Sequence, residues 1–258
     1  MPPAAAPGAR TSGACPVLRS SAELLWVPTT ELWKTEKFLF KFKGYNFIHS
    51  EIDVDFLENL DDFEMRDDDV LIITYPKSEY HKRMANVETV DQLPFLEYNV
   101  AGRHFDKRPS PRLFCSHLPY YLAPRGLKNK KAKVIYVYRN PKDVLCSSFH
   151  FSNMMRAREP SSNMDEIIEH FLEGKVYGSL WFDNIKGWYE QKSHFNIQFI
   201  MYEDMIKDLR SAILKVCKFL GKEMSEEDMD VAVRQATLEI MKSDPLANFE
   251  NALKAQPL

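Results

Sequence analysis

The strongest chemical signal in this chain is an arginine and a serine placed on either side of a predicted helix start. Residues 133–151 read KVIYVYRNPKDVLCSSFHF, in which Arg139 follows an apolar run and Ser147 comes two turns into the next helix. Asn140 can cap this helix, and Pro141 fits its first turn. Phosphate binds to the free N–H groups and dipole of a helix start, and the guanidinium and hydroxyl add donors. The pattern predicts a nucleotide-type anion site, with a solvated arginine beside a surface cap as the alternative.

A second apolar run ends in a lysine and a serine, the residue types of a phosphate-binding loop. Residues 71–78 read LIITYPKS and bring Lys77 and Ser78 to the end of a predicted strand. A complete phosphate loop continues with glycine and with serine or threonine into a helix, so that backbone amides close on the phosphate. Glu79 follows here instead, and its negative charge would repel an anion. Half of a phosphate loop is therefore present.

The elements that must position these loops alternate between strands and helices. Short apolar runs predict strands at 70–74, 112–116, 133–138 and 197–202. Helical periodicity predicts helices over Met164–Leu172, Val176–Gln191, Leu209–Leu220 and Glu226–Gln235. This alternation predicts an α/β fold with a mostly parallel central sheet flanked by helices. Ligands bind at the carboxyl ends of such strands, where the chain places Lys77, His117, Arg139 and Tyr202.

Length and composition are typical of one globular enzyme domain. The chain has 258 residues, of which 45% are hydrophobic, and its net charge of -3 argues against a nucleic-acid-binding surface. The four cysteines show no C-x-x-C spacing, and we expect no metal. No apolar run approaches the roughly 20 residues of a membrane span, and the N-terminus lacks a secretory signal. We therefore expect a cytoplasmic protein without a membrane partner.

Five motifs, in this order and spacing, resemble those of cytosolic sulfotransferases: TYPKS, RLFCSHLPYYLAP, VYRNPKDVL, MYEDM and MKSDPLANFE. The resemblance covers roughly Phe38 to Phe249. Four segments are most similar to the family 3 members described as amine sulfotransferases: FKGYNF, VDFLENLDDFEMRDDDV, WFDNIKGWYE and FNIQFIMYEDM. The resemblance implies a P-loop-like sulfotransferase fold. It also implies transfer of the sulfuryl group from 3′-phosphoadenosine 5′-phosphosulfate (PAPS) to an acceptor without a metal, leaving adenosine 3′,5′-bisphosphate (PAP).

The resemblance also implies roles for individual residues. His117, in the family's S/T-H-L-P context, corresponds to the catalytic base, although a lone histidine is otherwise more often structural. Lys77 corresponds to the residue that approaches the bridging oxygen and the sulfate of the donor. The implied donor-binding residues are Lys77, Ser78, Arg139, Ser147, Tyr202, Thr237 and Leu238. Of these, Arg139 and Ser147 match residues that hold the 3′-phosphate, and the last three match the adenine side.

The acceptor pocket is implied by three aromatic positions. Phe95, Tyr98 and Phe151 match pocket walls in the family and predict an apolar slot for a small aromatic amine, phenol or alcohol. Core packing is an equal alternative for Phe95. Cys115 stands two residues before His117, where many phenol-directed relatives carry lysine, and this difference favours amines over phenols.

Three departures from the family pattern lead to a second hypothesis. After Ser78 the phosphate-loop continuation and its helix are absent, a gap of about 12 to 15 residues or about four helical turns. Residues 256–258 end the chain before the family's R-K-G and G-D-W-K region, so we expect a domain over 36–258 truncated at its C-terminus and assume no homodimer. Residues 1–35 have no match and predict a disordered segment. The alternative function is therefore an impaired or inactive variant that binds nucleotide weakly or pairs with an intact relative.

Overall fold

The computed structural model describes residues 39–78, 92–99, 104–129, 131–154 and 164–243. Three predictions of the preceding section lie outside these residues: the disordered segment over residues 1–35, the shortened junction after Ser78, and the end of the chain at 256–258. The strands in the described part are β1 (Leu39–Phe42), β2 (Tyr45–Ile48), β3 (Val70–Thr74), β4 (Leu113–Ser116), β5 (Lys133–Tyr138) and β6 (Asn196–Met201).

Helices follow most of these strands. Their bounds are α1 (Val54–Glu58), α2 (Gly126–Asn129), α3 (Pro141–Met154), α4 (Met164–Leu172), α5 (Trp181–Glu190), α6 (Tyr202–Lys207), α7 (Leu209–Leu220), α8 (Glu226–Gln235) and α9 (Leu238–Ser243). Short 3₁₀ turns lie at His49–Glu51, Leu60–Asp62, Phe105–Lys107, Tyr120–Leu122 and Lys192–His194.

The central sheet has four parallel strands in the order β4-β3-β5-β6. Because all four run in the same direction, the residues that follow them meet at one edge of the sheet. His117 follows β4, Lys77 lies beyond β3, Arg139 follows β5 and Tyr202 follows β6. The predicted α/β class, the parallel sheet and the gathering of these residues at one edge are confirmed.

The sheet is buried on both faces, as the continuous apolar character of its strands predicts. Tyr136 and Phe114 face a core that includes the indole of Trp188 from α5, and all three side chains are fully buried. On the opposite face, Ile135 and Val137 of β5 pack with Val216, Phe219 and Leu220 of α7. Helices on both faces hold the strands in register and fix where the loops at the carboxyl edge emerge.

A buried ion pair joins the starts of β3 and β4. Asp69 and Arg112 are almost completely buried, and the guanidinium donates from Nε to Oδ1 at 2.8 Å and from Nη2 to Oδ2 at 2.5 Å. The two residues flank neighbouring strands, and the Val70 N–H donates to the Arg112 carbonyl at 2.9 Å. This bidentate pair anchors the two strands that carry Lys77 and His117 at their other ends.

The hairpin β1–β2 closes through a two-residue turn. Lys43 and Gly44 both have positive φ, at 45° and 84°, as the right-handed twist of a two-residue hairpin requires. β1 and β2 pair antiparallel, and Tyr45 and Phe47 of β2 are buried in the main core. The hairpin thereby brings β2 against the loops at the ligand edge of the sheet.

Most predicted element bounds agree with the structure, and one helix start was wrong. Helices α4, α7 and α8 and strands β3 and β5 have the predicted bounds, while β4 begins one residue later than predicted and β6 is displaced by one residue at both ends. The helix predicted over Val176–Gln191 begins only at Trp181. Gly178 and Ser179 have φ of 89° and 57°, which lie in the left-handed region and exclude a continuous right-handed helix. Residues 174–180 form a loop instead.

Candidate active site

The half phosphate loop forms a tight turn at the end of β3. The Ser78 N–H donates to the Tyr75 carbonyl at 3.0 Å, with Pro76 and Lys77 at the two central positions. Lys77 has a φ of 69°, where glycine or asparagine is the usual residue of this turn type. Backbone strain of this kind is concentrated at functional sites. The turn buries Ser78 completely, and its Oγ has no hydrogen-bond partner in the part of the chain that the structure describes.

Arg139 connects three of the four strand ends. Its Nη1 donates to the Lys77 carbonyl at 3.2 Å, and its Cζ lies 4.4 Å from the centroid of the Tyr202 ring. Its Nε is buried and unpartnered among the described residues. An arginine stacked on an aromatic ring with an unused donor is suited to a phosphate oxygen. The structure therefore brings together Lys77, Ser78, Arg139 and Tyr202 as the sequence predicted.

The helix start after Arg139 has the predicted cap. The Asn140 Oδ1 accepts a hydrogen bond from the Lys142 N–H at 2.9 Å, and α3 begins at Pro141. The Asn140 N–H in turn donates to Glu203 Oε1 at 2.9 Å. Ser147 is half-buried and lies one turn after the buried Val144, on the same face of α3. The structure thus has a capped helix start beside Arg139, and anion binding there stays a prediction.

The predicted adenine-side residues near the C-terminus are less defined. Thr237 is exposed at the end of α8, and its hydroxyl donates to the Arg234 carbonyl at 2.9 Å. Leu238 begins α9, but its side chain lies outside the described residues, as does that of Phe151 in α3. The roles of Thr237, Leu238 and Phe151 stay predictions.

His117 is buried directly after β4, and its ring orientation is fixed by β3. Its Nδ1 lies 2.9 Å from the Thr74 carbonyl oxygen and 3.0 Å from Thr74 Oγ1. A carbonyl oxygen can only accept, so we assign the hydrogen of the neutral imidazole to Nδ1. The lone pair is then on Nε2, which is the atom that a general base needs.

Side chains that the sequence reasoning missed hold the backbone of His117. The Tyr45 hydroxyl donates to the His117 carbonyl at 2.7 Å, and Asn184 Nδ2 lies 3.5 Å from the same oxygen. The Trp188 indole donates to the Leu118 carbonyl at 3.1 Å. Tyr45 comes from the hairpin and the other two from α5, so no local sequence signal links them to His117. The position of the imidazole therefore depends on contacts from the hairpin and from α5.

Aromatic rings surround the imidazole. The Phe95 and Tyr177 ring centroids lie 4.9 and 5.7 Å from that of His117, and Tyr98 lies 5.7 Å from Phe95. Phe95 and Tyr98 are both half-buried, and Tyr98 also packs against the main core, so their role as pocket walls stays a prediction. Tyr177, which the sequence reasoning placed in a helix, belongs to the loop of residues 174–180. Two aromatic rings therefore contact the His117 imidazole, and Tyr98 packs against the first of them.

Glu97 is the other residue that the sequence reasoning missed. It is 1% exposed, and its Oε1 accepts a hydrogen bond from the His117 backbone N–H at 2.6 Å. Burial raises the pKa of Glu97, and the neighbouring His117 charge and N–H bond act in the opposite direction. A glutamate inside the apolar run PFLEY was the available signal, because a charged residue is seldom buried without a specific partner.

The residues at the sheet edge fit the donor that the sequence implied. The buried Ser78 hydroxyl and the Arg139 Nε offer hydrogen bonds that no described residue accepts, and the capped start of α3 lies beside them. These are the donor types that bind phosphate and sulfate groups. In the described part of the chain, no cluster of three or more histidine, cysteine, aspartate or glutamate side chains could hold a metal ion.

Comparison with known proteins decides the family. The sulfotransferase domain pattern matches residues 79–256. An amine sulfotransferase of Oryctolagus cuniculus is 57% identical over 234 residues, which are 85% of this chain and 78% of that protein. The chain belongs to the sulfotransferase family.

More distant sulfotransferases agree with this assignment. A 3-alpha-hydroxysteroid sulfotransferase of Cavia porcellus is 33% identical over 204 residues, covering 73% of this chain and 71% of that protein. The crystal structure of a mouse sulfotransferase complexed with PAP superposes with a TM-score of 0.72 at 29% identity, covering 80% of this chain and 76% of that one. The chain is thus a sulfotransferase with the sulfotransferase fold, as its motifs predicted.

Proposed function

We propose that this sulfotransferase moves the sulfuryl group of PAPS to the nitrogen or oxygen of a small aromatic acceptor, with His117 as the general base. The observation that carries the proposal is the single sheet edge on which His117, Lys77 and Arg139 meet. Parallel strands place the base, the donor loop and the phosphate-binding arginine side by side.

The donor would bind along the ends of β3, β5 and β6. Lys77 and Ser78 would contact the phosphosulfate, with Lys77 offsetting the negative charge that develops on the leaving phosphate. Arg139 and Ser147 would hold the 3′-phosphate, and Tyr202, Thr237 and Leu238 would lie on the adenine side. The mouse relative bound to PAP supports this donor class.

The base would act through the Nδ1–H tautomer that we infer for His117 from its contact with the Thr74 carbonyl. With Nδ1–H bound to the Thr74 carbonyl, Nε2 takes the proton of the acceptor as the new bond to sulfur forms. The bond between sulfur and the bridging oxygen breaks in the same transfer, and PAP leaves with that oxygen. The chain needs no redox partner for this reaction.

The acceptor slot favours flat, neutral molecules. Phe95, Tyr98 and Tyr177 offer ring faces next to the base, and Phe151 is predicted to add a fourth wall. Cys115 occupies the position where phenol-directed relatives carry lysine, so this chain lacks that cation for a phenolate. The identity to an amine sulfotransferase also supports amines, with phenols and alcohols as further acceptors.

The wider setting of the protein is part of the same proposal. We infer a cytoplasmic enzyme of one sulfotransferase domain over residues 36–258, acting on small molecules and not on nucleic acid. Within the described residues, no helix has the length and apolar character that crossing a membrane needs.

A thermal melt with and without PAP tests the donor site. At one hundred times the dissociation constant, PAP should stabilise the native state by about 2.7 kcal/mol. For a chain of this size that is roughly 5 to 10 °C in Tm. Arg139→Ala should reduce the shift at the same PAP concentration, whereas Arg210→Ala, which removes a guanidinium paired with Asp230 on the surface, should leave it unchanged.

The outcomes separate the parts of the proposal. A cooperative melt that PAP does not shift would contradict the donor site. Equal shifts in the Arg139 and Arg210 variants would contradict the assigned role of Arg139. A normal shift without any sulfuryl transfer to aryl amines or phenols would favour the non-catalytic alternative.

A further inference from the structure

We propose that Glu97 is the counter-ion of His117, and that its carboxylate stabilises the positive charge that the imidazole acquires when it takes the acceptor's proton. The inference deepens the proposed function and rests on His117 being the base. Glu97 acts through His117 and is therefore a positioning residue with an electrostatic role.

The geometry places one carboxylate oxygen on His117 and leaves the other unused. Glu97 Oε1 accepts the His117 backbone N–H at 2.6 Å, while Oε2 is buried and has no hydrogen-bond partner among the described residues. The segment that carries Glu97 is fixed against β4, because the Leu96 N–H donates to the Cys115 carbonyl at 2.8 Å. The Ser116 hydroxyl and the Glu97 backbone N–H also favour the charged form of this carboxyl and lower its pKa, against the larger effect of burial. A buried carboxylate that keeps an unpartnered oxygen is costly unless a positive charge arises beside it.

His117 is the group in which such a charge arises. The residue is 3% exposed, so an imidazolium there receives little help from water. Before proton transfer, the pair of ionised Glu97 and neutral His117 carries one buried negative charge. After transfer the pair carries none, and this gain in electrostatic energy belongs to the reacting state and not to the resting state.

Among the residues that the structure describes, three tyrosines are ionisable groups close to the pair. Tyr45 comes from β2, Tyr98 from the segment after Phe95, and Tyr177 from the loop of residues 174–180. Burial raises the pKa of Tyr45 and of Tyr177, with smaller contributions from neighbouring tyrosines and Glu97. Both hydroxyls therefore stay neutral at physiological pH, and Glu97 supplies the negative charge.

Glu97→Gln tests this role, because the amide oxygen can still accept the His117 N–H while the charge is lost. In protein with isotope-labelled histidine rings, the His117 signal, identified by its loss in His117→Gln, is followed as pH changes. A nearby negative charge favours the protonated form of a histidine. We therefore expect His117 to be protonated only at lower pH in Glu97→Gln than in the wild type.

Glu203→Gln is the matched control for this titration. Glu203 also accepts a backbone N–H through Oε1 and also has a buried Oε2 without a described partner, but it lies in the first turn of α6 and its hydrogen bond is to Asn140. Its variant should leave the His117 midpoint where it is in the wild type. Equal midpoints in Glu97→Gln and the wild type would overturn the proposal, as would equal changes in both variants.

A wild-type measurement keeps the proposal testable if Glu97→Gln does not fold. Two ionisable groups that interact strongly titrate as a pair, so the carboxyl carbon signal of Glu97 should change when His117 is protonated. If the Glu97 signal does not change when His117 is protonated, the inference is overturned, and this measurement needs only the wild type.

Turnover distinguishes this inference from the proposed function. In an active chain, Glu97→Gln should move the acid limb of the pH–rate profile to lower pH. It should also reduce kcat by up to about tenfold, a part of the about 100-fold or more that a general base contributes, with little change in KM. If the wild type transfers no sulfuryl group but its His117 midpoint still depends on Glu97, the proposed function fails while the charge pair stands. A lowered midpoint with an unchanged kcat in an active chain would overturn the role in the reaction.

Discussion

Removal of the charge on Asp69 should cost this protein a large part of its stability. In the native state the carboxylate receives two hydrogen bonds from Arg112 and one from the Arg66 N–H at 2.7 Å. Asp69→Asn keeps the shape of the side chain but leaves the Arg112 guanidinium, 2% exposed, without its counter-charge. Breaking one side of such a buried pair typically costs about 3 to 5 kcal/mol.

That loss is large against a total stability of about 5 to 15 kcal/mol. For a chain of this length, each kcal/mol corresponds to roughly 2 to 4 °C in Tm. Asp69→Asn should therefore lower the midpoint of a calorimetric or circular-dichroism melt by roughly 6 to 20 °C. The urea midpoint should fall with it while the m-value stays unchanged, because the native surface area is the same.

The same substitution at Asp62 is the control. Asp62 pairs with Arg125 at 2.7 Å, but the two side chains are 76% and 68% exposed, and exposed pairs contribute at most about 1 kcal/mol. Asp62→Asn should therefore lower Tm by no more than about 4 °C. Equal decreases of Tm in the two variants would refute the argument that burial, and not contact distance, determines how much each ion pair contributes to stability.

Three further predictions concern the site. Lys77→Gly should be more stable to urea than Lys77→Ala by about 1 kcal/mol. Both variants lack the ammonium group, but only glycine adopts the φ of 69° without strain. A more stable alanine variant would contradict the turn geometry. Since burial raises the pKa of Glu97 above 4.5, the native state holds that proton more tightly and stability falls as pH rises through the folded-state value. The advantage of Glu97→Gln over the wild type in urea should accordingly grow from pH 5 to pH 8, and a constant difference would argue against it. Gly178→Ala should cost about 1 to 3 kcal/mol in a urea titration and weaken PAP binding, because its Cβ would lie 2.7 Å from Pro76 Cγ in the donor loop; unchanged PAP affinity would separate this loop from the donor site.

The elements of this fold could be predicted where one local signal dominates. β3 and β5 are apolar on both faces, and Ser225 with three acidic residues after it marks the start of α8, where its Oγ accepts the Asp228 N–H at 3.1 Å. The predicted start of α5 was wrong because the spacing of apolar side chains carries no information about backbone φ angles. Gly178 lies against Pro76 and Tyr75 in the folded chain, and that contact ends the pattern.

The site could be predicted only in part for a similar reason. Lys77, His117 and Arg139 follow strands, so topology alone brings them together. Glu97 and Tyr45 reach His117 from other parts of the chain: the run PFLEY marks a buried charge without naming its partner, and no local signal links Tyr45 to His117. The residues proposed to bind the donor are thus visible in motifs, whereas the contacts of the proposed base emerge only from the fold.

The most direct test of the central claim is transfer of label from [³⁵S]PAPS to an aryl amine by the wild type and by His117→Gln. The account predicts labelled amine with the wild type and a rate at least about 100-fold lower with the variant. The variant should still show the PAP-induced rise in Tm, because His117 is not a donor-binding residue. A variant that retains the wild-type rate, or a wild type that binds PAP and transfers no label to any amine or phenol, would contradict the assignment of His117 as the base of an active sulfotransferase.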